Sequence, residues 1–158
     1  MLKKHSHFSP EFAEKWHPAM EKIINQTGLN SLLVMESLAS HLRVAASAGS
    51  FRDVFTVGSL FEKGLVFNRH KLYCEEVISG RKELYVADSA SDPEWINNED
   101  YVKFGLGTYL GFPLRFRENI LGTVCALHDA PYKFRHGSPD AYGLIKDLRD
   151  RIEKILDE

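Results

Sequence analysis

Apolar residues recur along this chain in two rhythms. Phe12, Trp16, Met20, Ile23 and Ile24 fall at helical spacing behind Ser9-Pro10-Glu11. That triplet is a helix start: Ser caps, Pro fits the first turn where its missing N–H is not needed, and Glu faces the positive end. Pro18 interrupts the run, so the pattern predicts a kink or a second helix there, and Gly28 predicts the stop. At the other end Ser138-Pro139-Asp140 repeats the start signal. Ile145, Leu148, Ile152 and Ile155 follow it with the 3-4-3 spacing of a coiled-coil seam, widened by Tyr142, Leu144 and Leu156.

The second rhythm has period two. Leu110, Phe112, Leu114 and Phe116 share one face of a predicted strand; Gly111, Pro113, Arg115 and Arg117 share the other. Arg117-Glu118-Asn119 is a polar turn in which Asn119 supplies left-handed backbone. In the strand that follows, Ile120, Val124 and Ala126 occupy one phase and Leu121, Cys125 and Leu127 the other. Both phases are apolar, so both faces are expected to be covered.

Between these ends, Leu32-Leu33-Val34-Met35 reads as a strand buried on both sides. In the next strand Leu42, Val44 and Ala46 alternate with Arg43, Ala45 and Ser47. A third strand is expected over Asp53 to Val57. Gly58 to His70 shows no periodicity and is expected to be a loop anchored by Phe61, Leu65, Val66 and Phe67. Lys71 to Ser79 predicts a short helix stopped by Gly80, Glu83 to Ala87 a strand, and Glu99 to Phe104 a helical turn. Asp88 to Asn98 is turn chemistry almost throughout. The expected architecture is an α+β sandwich. A central antiparallel sheet of five to six strands carries the N- and C-terminal helices on one face. The irregular middle of the chain lies over the other as a loop and short-helix lid.

Composition narrows the classes. A chain of 158 residues, 44% hydrophobic and 27% charged, suits one folded domain, here 9–158 behind a disordered tail, 1–8. The net charge of -2 with both signs interspersed argues against a nucleic-acid partner. No apolar run approaches the length needed to span a bilayer. Met1 to His7 lacks the apolar stretch of a secretory signal, and two cysteines inside predicted elements suit a reducing compartment. The expectation is therefore a cytoplasmic protein.

The motifs in order resemble one family. Phe112-Pro113-Leu114, a polar turn, then Ile120-Leu121-Gly122-Thr123-Val124-Cys125-Ala126-Leu127-His128-Asp129 is similar to the C-terminal hairpin of a GAF domain. Leu72 to Gly80, Leu84 to Asp88 and Asp92-Pro93 resemble that family's middle, over roughly residues 20–156 in all. The resemblance implies a GAF-like fold, a small-molecule pocket under the lid and terminal helices that pair in a homodimer. It implies a cytoplasmic, bacterial signal-transduction role beside a histidine kinase, a diguanylate cyclase or a transcription regulator. It also opens two alternatives. One is a cysteine-dependent enzyme of the free-methionine-sulfoxide-reductase type; the other is a degenerate domain that only dimerises. The Asn-Lys-Phe-Asp-Glu motif of cyclic-nucleotide-binding members is missing, which argues against cyclic GMP or AMP.

The candidate ligand-binding residues are Tyr73, Asp88, Trp95, Tyr101, Phe104, Tyr109 and Cys125, because pockets combine aromatic walls with a few polar groups. Trp95 stands out as an indole in a polar loop. Cys74 and Cys125 admit a redox role or attachment of a bilin. Their positions inside regular elements favour inert buried thiols and disfavour a bilin. The reductase type that the resemblance opens carries cysteines on the lid loop, and Asp88 to Gly107 has none, which argues against that activity; the ligand's identity stays open. No catalytic residue and no metal site is assigned. His5, His7 and His17 lack the spacing of a closed site. Asp88 and Asp92 read as turn residues. His70 and His128 border the expected pocket without a placed partner. Gly105-Leu106-Gly107 is too short for a phosphate loop.

Overall fold

The computed structural model describes residues 7–158. The first six residues of the expected tail lie outside it. Packing begins at Phe8, which is buried edge-on to Phe12, while the His7 ring lies 4.5 Å from that of Phe116.

Helix α1 (Pro10–Thr27) starts with Pro10 in its first turn and stops at Gly28, whose φ of 73° closes the C-cap onto Ile24. Pro18 neither breaks nor restarts it. The residue lies on the exposed side, where the carbonyl one turn back can be solvated. Strands β1 (Ser31–Ser37) and β2 (His41–Gly49) pair next, then β3 (Leu60–Glu62). Helix α2 (Tyr73–Gly80), strand β4 (Leu84–Val86), a single 3₁₀ turn (Ser89–Ser91) and helix α3 (Glu99–Phe104) make up the middle. The long hairpin of β5 (Thr108–Phe116) and β6 (Asn119–His128) leads into helix α4 (Ala141–Leu156).

The strands form one antiparallel sheet in the order β3-β2-β1-β6-β5-β4. Helices α1 and α4 cover one face. Their core holds Trp16, Met20, Leu32, Val34, Phe112, Val124, Ile145, Leu148 and Ile152. The other face carries a second core beneath α2, α3 and the loops, with Leu33, Met35, Leu42, Tyr73, Trp95, Tyr109, Cys125 and Leu127. The expected α+β sandwich is the observed one.

Several local expectations fail for identifiable reasons. Val34 pairs with Ala46 but Met35 with Val44, so Ala45 is an extra residue in β2. The bulge switches the phase: Leu42 and Val44 face the second core, while Ala46 and Ala48 face the helices. A matching irregularity in the hairpin pairs Leu114 with Gly122 and Arg115 with Ile120. It turns Leu121 toward the helices, away from Cys125 and Leu127. The left-handed turn residue is Arg117, at φ 56°, and not Asn119. Asp53 to Val57 is a turn that buries Phe55, and the third strand comes three residues later, inside the stretch expected to be a loop. Leu65, Val66 and Phe67 do not anchor that loop; they are exposed. Asp140, not Ser138, caps α4 by accepting from the Gly143 N–H at 2.7 Å.

The apolar seam of α4 is also differently used. Ile145, Leu148 and Ile152 are fully buried against this chain's own sheet and α1, so they are not free to form a coiled coil with another copy. Among the described residues no helix is long and apolar enough to cross a membrane.

Candidate functional site

The sheet face beneath α2 and α3 gathers polar atoms into an otherwise apolar layer. Position 74 follows directly on Tyr73 at the start of α2, and α2 lies across β5 and β6, so Cys74 meets the sheet there. Its Sγ lies 3.2 Å from the Tyr109 hydroxyl, 3.2 Å from Thr123 Oγ1 and 3.8 Å from Cys125 Sγ. Tyr109 can reach because Gly111, two residues on along the same face, carries no side chain. A Cβ there would lie 2.1 Å from the Tyr109 hydroxyl oxygen.

An aromatic stack fills the space between sheet and lid. The rings of Tyr73 and Tyr109 are stacked at 4.6 Å, and Trp95 tilts against Tyr73 at 5.2 Å. Tyr73 is pinned by Ser89 Oγ at 2.5 Å and donates to the Leu106 carbonyl at 3.0 Å. Phe104 joins from the side, packed on Phe55. The enclosed void is only about 20 Å³, bounded by Leu33, Met35, Phe55, Cys74, Tyr109 and Asp100 among others. Asp100 is half-buried as a residue, yet its side chain borders this void.

The electrostatics follow from burial. Desolvation pushes the Tyr73 hydroxyl up to about 12, and the Tyr109 hydroxyl and Cys125 thiol well above their ordinary values. Asp100 is pushed up to about 7, first by burial and then by Glu99, with Lys103 opposing. Cys74 is lowered, chiefly by the hydrogen bond from Cys125, so any thiolate in the pair forms on Cys74. Two thiols at this separation can also become a disulfide when an oxidant takes their two electrons and two protons and the sulfurs close to bonding distance, about 2.05 Å.

The lid is fastened by a residue that periodicity did not single out. Glu75, in the first turn of α2, is buried, and Oε1 accepts from Gly64 N–H at 2.6 Å and Leu72 N–H at 2.8 Å. Oε2 accepts from Leu65 N–H at 3.3 Å. A carboxylate three positions after a helix start is the signal that marks it. Asp100, Thr123 and Ser89 carry no such signal.

Of the residues expected to bind ligand, Tyr73, Trp95, Tyr109 and Cys125 come together and Phe104 borders them. Tyr101 lies beside Gly107 at the lid surface. Asp88 stays out of the cluster: its carboxylate accepts from Ala90 N–H and Ser91 Oγ, each at 3.1 Å, and Asp92 serves Glu94 in the same way. Both are turn residues. His128 accepts from Asn30 N–H at 3.1 Å and ties β6 to the α1–β1 connection. Among the described residues no three His, Cys, Asp or Glu side chains stand close enough to hold a metal.

Known proteins with this fold include enzymes and GAF domains. A type II free methionine-R-sulfoxide reductase from Thermoplasma acidophilum is 14% identical, with 93% of each chain covered and a TM-score of 0.67. The GAF domain of an Acinetobacter phosphoenolpyruvate-protein phosphotransferase is 10% identical, over 92% of this chain and 81% of that one, at 0.69. The free methionine-R-sulfoxide reductase of Neisseria meningitidis, in complex with its substrate, is 12% identical over 94% and 80%, at 0.68. At such identities the likeness is one of fold. No curated protein matches the sequence. The family model for the GAF domain matches residues 11–156, and the chain belongs to that family.

Proposed function

We propose that this GAF domain is a sensor whose small-molecule ligand enters between the sheet and the lid, displacing the aromatic stack. The observation that carries this reading is the closure itself. Trp95, Tyr73 and Tyr109 occupy the space a ligand would need, leaving about 20 Å³, while Cys74 contacts both the Tyr109 hydroxyl and Thr123 Oγ1 there. Such a closed form is one of two states, and a ligand that prefers the open one shifts the population toward it. Lid movement reaches the terminal helices through β5 and β6, whose other face α4 packs on. In this reading the domain is cytoplasmic and bacterial, and regulates a histidine kinase, a diguanylate cyclase or a transcription regulator. Any homodimer contact uses the outer surfaces of α1 and α4 around Ile155, since the seam is already buried.

The test is a metabolite panel scored by melting temperature and tryptophan emission. A ligand of the site raises the melting point and shifts the emission of Trp95, and Trp16→Phe leaves that shift intact. A panel that changes neither signal, with lid amides exchanging only on global unfolding, overturns the reading.

The 3.8 Å between Cys74 and Cys125 supports a second reading, reduction of a small sulfoxide. The two thiols would give two electrons and two protons to the sulfoxide, yielding a thioether, water and the Cys74–Cys125 disulfide. Sulfoxide-dependent loss of two free thiols, abolished by Cys74→Ser and by Cys125→Ser, is the expected result. Thiols that survive the substrate count against it.

A further inference from the structure

A separate cleft lies on the helix side of the sheet, at its β4 edge. There α4 rides over β5 and β6, and the loop 130–137 closes over β4. The space between them is about 470 Å³, within the range of small-molecule sites and far larger than the void under the lid. Its floor is apolar. Leu110 and Phe134 are buried there, and the Tyr85 ring stands edge-on to Phe134 at 5.8 Å. Tyr85 is 54% exposed, an aromatic in an outer strand with one side toward the cleft.

The rim is cationic. Lys133, Arg135 and His136 line the cleft, and none has an ion pair among the described residues. The Arg135 guanidinium lies on the Tyr142 ring at 3.7 Å. Stacking of this kind fixes the guanidinium plane while its edge remains able to bind a carboxylate with two hydrogen bonds. Tyr142 is itself held, by donating to Glu83 Oε1 at 2.8 Å and by packing on Phe112 at 5.2 Å. Glu83 is thus turned onto Tyr142 at one side of the cleft, and its single negative charge is outnumbered by the two cations Lys133 and Arg135.

We propose that this cleft is a binding site for a small aromatic carboxylate. The ring lies against Tyr85, Phe134 and Leu110, and the carboxylate takes the edge of Arg135 with Lys133 beside it. A cationic ligand would face the like charges of Lys133 and Arg135, and a neutral one would cover those cations without pairing them.

The probe is benzoate, followed by amide chemical shifts of the labelled full chain, with benzyl alcohol as the uncharged control. Saturable shifts at Tyr85, Phe134, Arg135 and Tyr142 are expected, with benzyl alcohol failing to saturate. Arg135→Ala should weaken benzoate by about tenfold or more, the size of a lost charge-assisted pair, and Arg135→Lys by less. Arg135 is exposed, so an unchanged spectrum elsewhere confirms that the variant folds. Shifts confined to Tyr73, Trp95 and Tyr109, affinity indifferent to Arg135→Ala, or no saturation at millimolar benzoate would overturn the proposal. Only the first of these outcomes bears on the site under the lid, and it would support that site; the other two concern this cleft alone.

Discussion

The Tyr109 hydroxyl and the Cys74 sulfur meet at 3.2 Å across the boundary between sheet and lid, and Gly111 is what makes the meeting possible. A methyl group at position 111 would collide with that hydroxyl, so Gly111→Ala must push the Tyr109 ring off the cluster. We expect a loss of about 1–3 kcal/mol in urea unfolding, typical of overpacking. The Cys74 thiol, buried in the native protein, should react faster with a disulfide reagent in the folded variant. Unchanged stability together with unchanged thiol kinetics would show that the hydroxyl is not fixed by this contact.

Glu75 holds three backbone N–H groups of the loop that precedes α2. Glu75→Ala leaves those donors without their acceptor. It should cost about 3 kcal/mol, since each bond to a buried charged acceptor exceeds a neutral one. Hydrogen exchange at Gly64 and Leu72 should accelerate more than at β5. Glu75→Gln retains an acceptor on one side only and should fall between the two. If the alanine variant exchanges at Gly64 like the native protein, another group fastens the loop.

Asp100 gives the domain a pH dependence with a definite sign. Its carboxyl titrates near 3.8 when unfolded and near 7 when folded, because burial disfavours the charge. Between those values the folded protein keeps a proton that the unfolded chain has lost. The Asp100 contribution to stability is therefore full below about pH 4 and is lost as the pH rises through 7. Asp100→Asn removes the decline. Because the residue is half-buried, we expect the variant to gain about 2 kcal/mol over the native protein at pH 8, and little at pH 4. Parallel stability curves for the two proteins would refute the assignment.

What the sequence disclosed, and what it hid, follows from how far each signal reaches. The terminal helices, the hairpin and the short helices at Lys71–Ser79 and Glu99–Phe104 rest on local periodicity and caps, and all are present. The bulges at Ala45 and Leu121 are invisible locally, because only the pairing of neighbouring strands reveals an extra residue. Periodicity therefore assigned Ala46 and Leu121 to the wrong faces. Tyr73, Trp95, Tyr109 and Cys125 were legible as aromatic and thiol positions in or near an irregular segment. Asp100 and Thr123 were not, because an acid in a polar helical turn and a threonine in a strand look ordinary until the fold buries them. The seam of α4 misled for a related reason. A stripe at 3-4-3 spacing fits a partner helix, but it fits a sheet and a neighbouring helix within the same chain equally well.

That last ambiguity yields the sharpest test of the helices. Leu148 is fully buried between the sheet and α1. Leu148→Asp places a charge among the apolar side chains of that core, and the neighbouring Arg149 is already engaged with the Pro113 carbonyl and Asp150. We expect the variant to lose about 4 kcal/mol or more and to be largely unfolded by circular dichroism. Ile155→Asp, at a half-exposed position on the edge of that core, should cost less and stay folded. If the protein self-associates through its outer helical surface, it is the Ile155 variant that becomes a smaller particle in sedimentation. A folded Leu148→Asp protein with altered subunit number would instead return the seam to an intermolecular role.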